Sequence, residues 1–154
     1  MKRKLLVLAI VWILAAFLSA CSDNASDLHT GYYSAETASF DTHGWKEYIT
    51  IYVSDNTIVT VEYNARNASG FIKSWDLDYM RTMMAKAGTY PNEYTRAYSV
   101  SLLNWQDPEN IDAMTGATHS YHTFQLLAEA AIGQSKAGDK QMALVETPEE
   151  AGEQ

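Results

Sequence analysis

Cysteine is all but missing from the 154 residues: Cys21 is the only one. One thiol cannot build an internal disulfide framework, nor supply the several thiolates of a zinc or iron–sulfur site. Basic residues are scarce too, 11 against 19 acidic, with four histidines. That balance does not draw a chain onto a phosphate backbone or an anionic headgroup layer, so nucleic acid is excluded as a partner. No apolar run reaches the roughly 20 residues that a membrane-spanning helix needs. No nucleophile, acid and base fall into a catalytic set, so no catalytic residue is assigned and an independent enzyme is not expected.

What is there begins at the N-terminus. Lys2, Arg3 and Lys4 precede an uncharged, proline-free run from Leu5 to Leu18, the basic and apolar regions of a secretory signal. Leu18-Ser19-Ala20-Cys21 then resembles the lipobox of bacterial lipoproteins. The resemblance implies cleavage after residue 20 and a diacylglyceryl thioether on Cys21. A cell membrane location follows, with the chain lipid-anchored on the extracytoplasmic face. Cleavage removes three of the 11 basic residues and no acidic ones, leaving eight against 19 and a formal charge of −11. Any redox chemistry in the mature chain must then come from a bound cofactor.

Residues 21–30 are polar and short, a tether between lipid and domain. From about residue 137 the chain turns acidic and loses periodicity, so 137–154 is read as a disordered acidic tail. Residues 31–136 remain, one domain with room for one core. Its first half alternates: Ile49, Ile51 and Val53 against Tyr48, Thr50 and Tyr52, then Val59, Val61 and Tyr63. With Ser54-Asp55-Asn56 as the turn, this predicts a hairpin over about 45–63, preceded by a strand at 31–36. The second half has helical spacing over about 75–87, 91–105 and 120–135. Met80, Met83, Met84 and Ala87 form one expected core stripe; Tyr94, Ala97, Tyr98, Leu102 and Trp105 form a second. Strands followed by three helices predict an α+β fold.

The chemistry is concentrated in Asp112-Ala113-Met114-Thr115-Gly116-Ala117-Thr118-His119-Ser120. Gly116 permits positive φ and close approach, and Ala117 leaves space. The helix N-terminus that follows favours an anion through its free N–H groups and its dipole. Plain helix capping by the same hydroxyl and carboxylate residues is the competing reading. His119 and His122 stand at i and i+3, but with only His29 and His43 besides no metal site is expected. His43-Gly44-Trp45 reads as a turn carrying either a core Trp or a stacking wall for a planar ligand.

This stretch resembles the flavinylation motif of the FMN-binding domain family, Asp-x-x-Ser/Thr-Gly-Ala-Thr-x-Ser/Thr, met at Asp112, Thr115, Gly116, Ala117, Thr118 and Ser120. The family includes flavin subunits of the sodium-pumping NADH:quinone oxidoreductase and of the Rnf complex, and lipoproteins of extracellular electron transfer. Gly31-Tyr32-Tyr33, the stretch from Phe40 to Lys46, Lys73 to Asp76 and Gln106-Asp107-Pro108 extend the likeness to its lipoprotein branch. His119 and Trp75 depart from many relatives. The resemblance implies FMN in phosphoester linkage to Thr118, made by an FAD-dependent flavin transferase. Asp112, Thr115, Gly116, Ala117, His119 and Ser120 would surround it. It further implies electron relay from a membrane redox donor to an external acceptor. Two other functions stay open on the residues alone: a noncovalent ligand-binding or sensing lipoprotein, and a cofactor-free surface module.

Overall fold

Alternation of apolar and polar residues builds a sheet, and the computed structural model, which describes residues 27–147, shows where it goes. Strands β1 (Gly31–Thr37), β2 (Lys46–Ser54) and β3 (Thr57–Arg66) pair antiparallel in sequence. Ile49, Ile51 and Val53 of β2 are fully buried on one face, and Tyr48, Thr50 and Tyr52 are half-buried on the other. Asp55 and Asn56 both take left-handed backbone, φ 51° and 60°. Such a two-residue turn matches the strand twist and closes the hairpin tightly. On the outer face Tyr32 sits opposite Tyr52 with ring centroids 4.6 Å apart. Glu36 ties all three strands together there, bonding Lys46 at 2.9 Å and also Arg66.

Helices α1 (Leu77–Ala87), α2 (Pro91–Trp105) and α3 (Thr118–Ala137) follow. The α+β prediction therefore holds. Asp76 starts α1 by accepting from the amides of Asp78 and Tyr79, and Gly88 ends it in left-handed backbone. Pro91 occupies the first turn of α2, where its missing N–H costs nothing. α2 covers β3, and α3 covers β1 and β2. Between them Tyr94, Tyr98, Leu102, Phe124 and Leu127 fill the core with Ile49, Ile51 and Ile58. Each apolar side chain of that size contributes about 1.5–3 kcal/mol on burial.

Three expectations are corrected. The methionine stripe of α1 is not core: no residue of this helix is buried, and Met84 is 51% exposed. α2 and α3 already occupy the inner face of the sheet, and of the α1 methionines in the stripe only the half-buried Met83 packs against that core. Trp105 is 62% exposed; the helix closes instead through Gln106, whose amide exchanges hydrogen bonds with N–H and C=O of Ile58 (2.7 and 3.0 Å). Residues 137–147 are not the expected disordered tail. Ala143–Val145 forms β4, parallel to β1, and the sheet order is β3-β2-β1-β4. Three small apolar residues suffice because β1 otherwise leaves a row of unpaired backbone groups. The signal peptide 1–20, Cys21, most of the tether and residues 148–154 lie outside the described residues.

Candidate functional site

α3 starts at Thr118, two residues ahead of the predicted boundary. Its N-cap is Ala117, which offers no side-chain acceptor. The leading amides of a helix have no acceptor within it, and the side chain of the N-cap residue supplies none here. The capping reading of the motif hydroxyls is therefore not what the structure shows. Thr115 and Thr118 are both exposed. Thr115 and Gly116 form the turn, and Gly116 has φ 81°. A Cβ on Gly116 would come within 2.2 Å of the Ala87 carbonyl oxygen. Glycine is required twice over at this position: by the backbone, and by the end of α1 pressed against it.

The turn is held from below by tyrosines. Tyr98 Oη accepts from the Met114 amide at 3.1 Å and donates to the Ala117 carbonyl at 3.3 Å. Tyr121 Oη donates to the Ile111 carbonyl at 2.7 Å. Ala117 itself is buried. Asp112 is exposed and takes no part in this bracing among the described residues. The helix N-terminus is thus rigid on its inner side and open on its outer side.

Ser120 turns inward. Its Oγ lies 3.2 Å from Glu47 Oε1, and its carbonyl accepts from Tyr63 at 2.8 Å. Tyr63 Oη is also 2.6 Å from Glu47 Oε2, so one phenolic proton faces two acceptors. Burial pushes the Glu47 carboxyl above 4.5, against the opposing pull of Lys73, Tyr63, His119 and Ser120. Lys73 is buried, with its ammonium 5.1 Å from the ring centre of Tyr79 and 5.8 Å from that of Trp45. Burial lowers its pKa, but Tyr94, Glu47, Tyr79 and Asp41 together raise it above 10.5. The Glu47 carboxyl therefore sits directly beneath the α3 N-terminus, with the Lys73 charge close enough to act on it.

Sequence reading missed this cluster, although one signal was available. Glu47 continues the inward register of Ile49, Ile51 and Val53, and a carboxylate on a core register needs partners. Trp45 resolves as the core Trp of a turn: Asp41 accepts from the amides of His43 and Trp45, and the indole is buried against Tyr79. His122 is exposed, and no group of three metal-ligating side chains occurs among the described residues. A small cavity of about 30 Å³ opens beside His119, lined by Asp41, Trp45, Glu47 and Thr123. An open cleft of about 800 Å³ separates α1 from the start of α2, lined by Met80, Met84, Tyr90 and Arg96 among others.

No protein-family model matches the chain. Over 128 residues it is 35% identical to the 15 kDa lipoprotein of Treponema pallidum (strain Nichols), a match covering 83% of this chain and 89% of that one. The crystal structure of the CPE2226 protein of Clostridium perfringens has the same fold. Its TM-score is 0.76 at 35% identity, covering 79% of this chain and 99% of that chain.

Proposed function

Because the chain belongs to the family of the 15 kDa lipoprotein of Treponema pallidum, we propose that it is tethered through lipid on Cys21; from the motif at 112–120 we further propose that it carries FMN in phosphoester linkage to Thr118. Its role is to relay electrons outside the cytoplasm, between a membrane redox donor and an external acceptor. The observation that carries this reading is an exposed threonine as the first residue of a 20-residue helix, directly after a turn in which a Cβ on Gly116 would strike the Ala87 carbonyl oxygen.

The residues present fit such a group. Helix amides and the α3 dipole favour a phosphate beside Thr118. Gly116 and Ala117 keep the approach free of bulk, and the Tyr98 and Tyr121 hydroxyls fix the turn so that the anchor oxygen has one position. His119 borders the same surface. Ser120 and Asp112 fit less directly: Ser120 faces Glu47, and Asp112 stands in solvent, where a transferase can reach it. Bound flavin supplies one- and two-electron chemistry, and the chain supplies placement and charge. A covalent bond also retains the cofactor in a compartment from which a free one would diffuse away.

Peptide mass spectrometry after co-expression with the FAD-dependent transferase tests this. FMN should remain on denatured, washed parent chain and map to Thr118. It should vanish in Thr118→Val and persist at least in part in Thr115→Val. FMN on Thr115, or on no residue of the parent, overturns the assignment. The noncovalent alternative has one observation in its favour, the cleft between α1 and α2; flavin that leaves on denaturation would support it.

A further inference from the structure

The chain enters the domain at one end and presents Thr118 at the other. The Leu28 amide donates to Asn56 at the β2–β3 turn (2.7 Å), and the Asn56 amide group donates to Asp27. The His29 amide donates to the Ser135 carbonyl (3.1 Å), and Ser135 Oγ donates back to the His29 carbonyl. The His29 ring lies over Gly138. The entry point is therefore clamped to the hairpin tip and to the last turn of α3. Thr118 begins the same helix, and 17 residues at 1.5 Å each place it about 25 Å from Ser135 along the axis.

Cys21 precedes Asp27 by six residues, a reach of about 20 Å at full extension. To set the Thr118 end on the bilayer, the clamped entry point would have to rise by the whole length of α3. The leash reaches about 20 Å and that rise is about 25 Å, so the Thr118 end is not the end set down on the bilayer.

We propose that the anchored domain stands with the C-terminal end of α3 and the β2–β3 tip towards the lipid surface, and with the Thr118 turn facing away from it. The inference rests on the lipid anchor at Cys21 and is independent of what Thr118 carries. It assigns the site a class of partner: one met clear of the bilayer, either a soluble carrier or a protruding head of a membrane complex. In this orientation the Thr118 turn does not meet a molecule dissolved in the membrane.

Labelling can read this orientation directly. Cys21 is the only cysteine, so once lipidated it leaves Lys136→Cys or Asp112→Cys as the single reactive thiol. Both positions are exposed. Each labelled, lipidated full-length chain is bound to phosphatidylcholine vesicles whose headgroups carry a quencher. Quenching should be several-fold stronger at position 136 than at position 112. Equal quenching, or stronger quenching at 112, overturns the orientation. Flotation on the same samples separates the two levels, since a chain that does not float with the vesicles overturns the anchor itself.

Discussion

Replacing Gly116 with alanine should damage this domain more than the same change at any other described glycine. Two costs combine. Holding a non-glycine residue at φ 81° costs about 1–2 kcal/mol. The new Cβ also meets the Ala87 carbonyl oxygen at 2.2 Å, an overlap that must push α1 or the turn aside for about 1–3 kcal/mol more. The expected loss is therefore about 2–5 kcal/mol, a large share of the ordinary stability of a domain. Gly88→Ala is the internal control. Its φ is 73°, but nothing lies within 4 Å of the added carbon, so only the first cost of about 1–2 kcal/mol applies. Urea denaturation of parent and both variants, followed by circular dichroism, measures the difference. At roughly 4 °C per kcal/mol for a domain of this size, melting should fall by about 8–20 °C in Gly116→Ala. If the two variants lose the same stability, the close approach of α1 to the motif turn is wrong.

Glu47→Gln tests the buried acid by its pH dependence. A carboxyl raised above 4.5 in the folded state contributes full stability below 4.5, and that stability is lost as pH rises through the folded value. The variant should therefore gain on the parent from pH 4 to pH 7 in urea titrations; a parent that gains on the variant would refute the upward shift of the Glu47 carboxyl. Cys21→Ala should leave an uncleaved precursor or shed protein into the medium, read by membrane fractionation; parent-like processing would refute the lipid anchor. Deleting residues 142–154 exposes the edge of β1 and should cost about 1 kcal/mol per lost hydrogen bond, among them that from Ala38 to Val145. An unchanged melting temperature would show that β4 adds nothing.

The hairpin was legible because its signal is local. Ile49, Ile51 and Val53 fall on one face whatever packs against them, and Asp55-Asn56 suits the turn that joins the strands. The Thr118 turn was legible for a similar reason, since Gly116 and Ala117 announce a backbone that needs room. The fate of α1 was not. Its methionine spacing marks an apolar side, but whether a site on the sheet remains for that side depends on how α2 and α3 share it. β4 is too short to show a period, and its partner lies more than 100 residues earlier in the chain. Tyr98 falls in an apolar stripe, and no pattern in the sequence singles out Tyr121. Their decisive atoms are the hydroxyls, and the targets of those hydroxyls are fixed only by the tertiary fold.

The parallel direction of β4 has a practical consequence for anyone handling the protein. β1 runs from the entry point towards Glu47 and His119, and β4 runs beside it in the same sense. Thr147, two residues past β4, already borders the cavity at His119. Anything fused after that residue emerges next to Thr118, where an affinity tag would crowd a modifying enzyme or a redox partner. Under the proposed anchoring, the other terminus carries the lipid on Cys21. The β2–β3 turn at Asp55 and Asn56, at the opposite end of the domain, is the better place for a purification handle or a reporter.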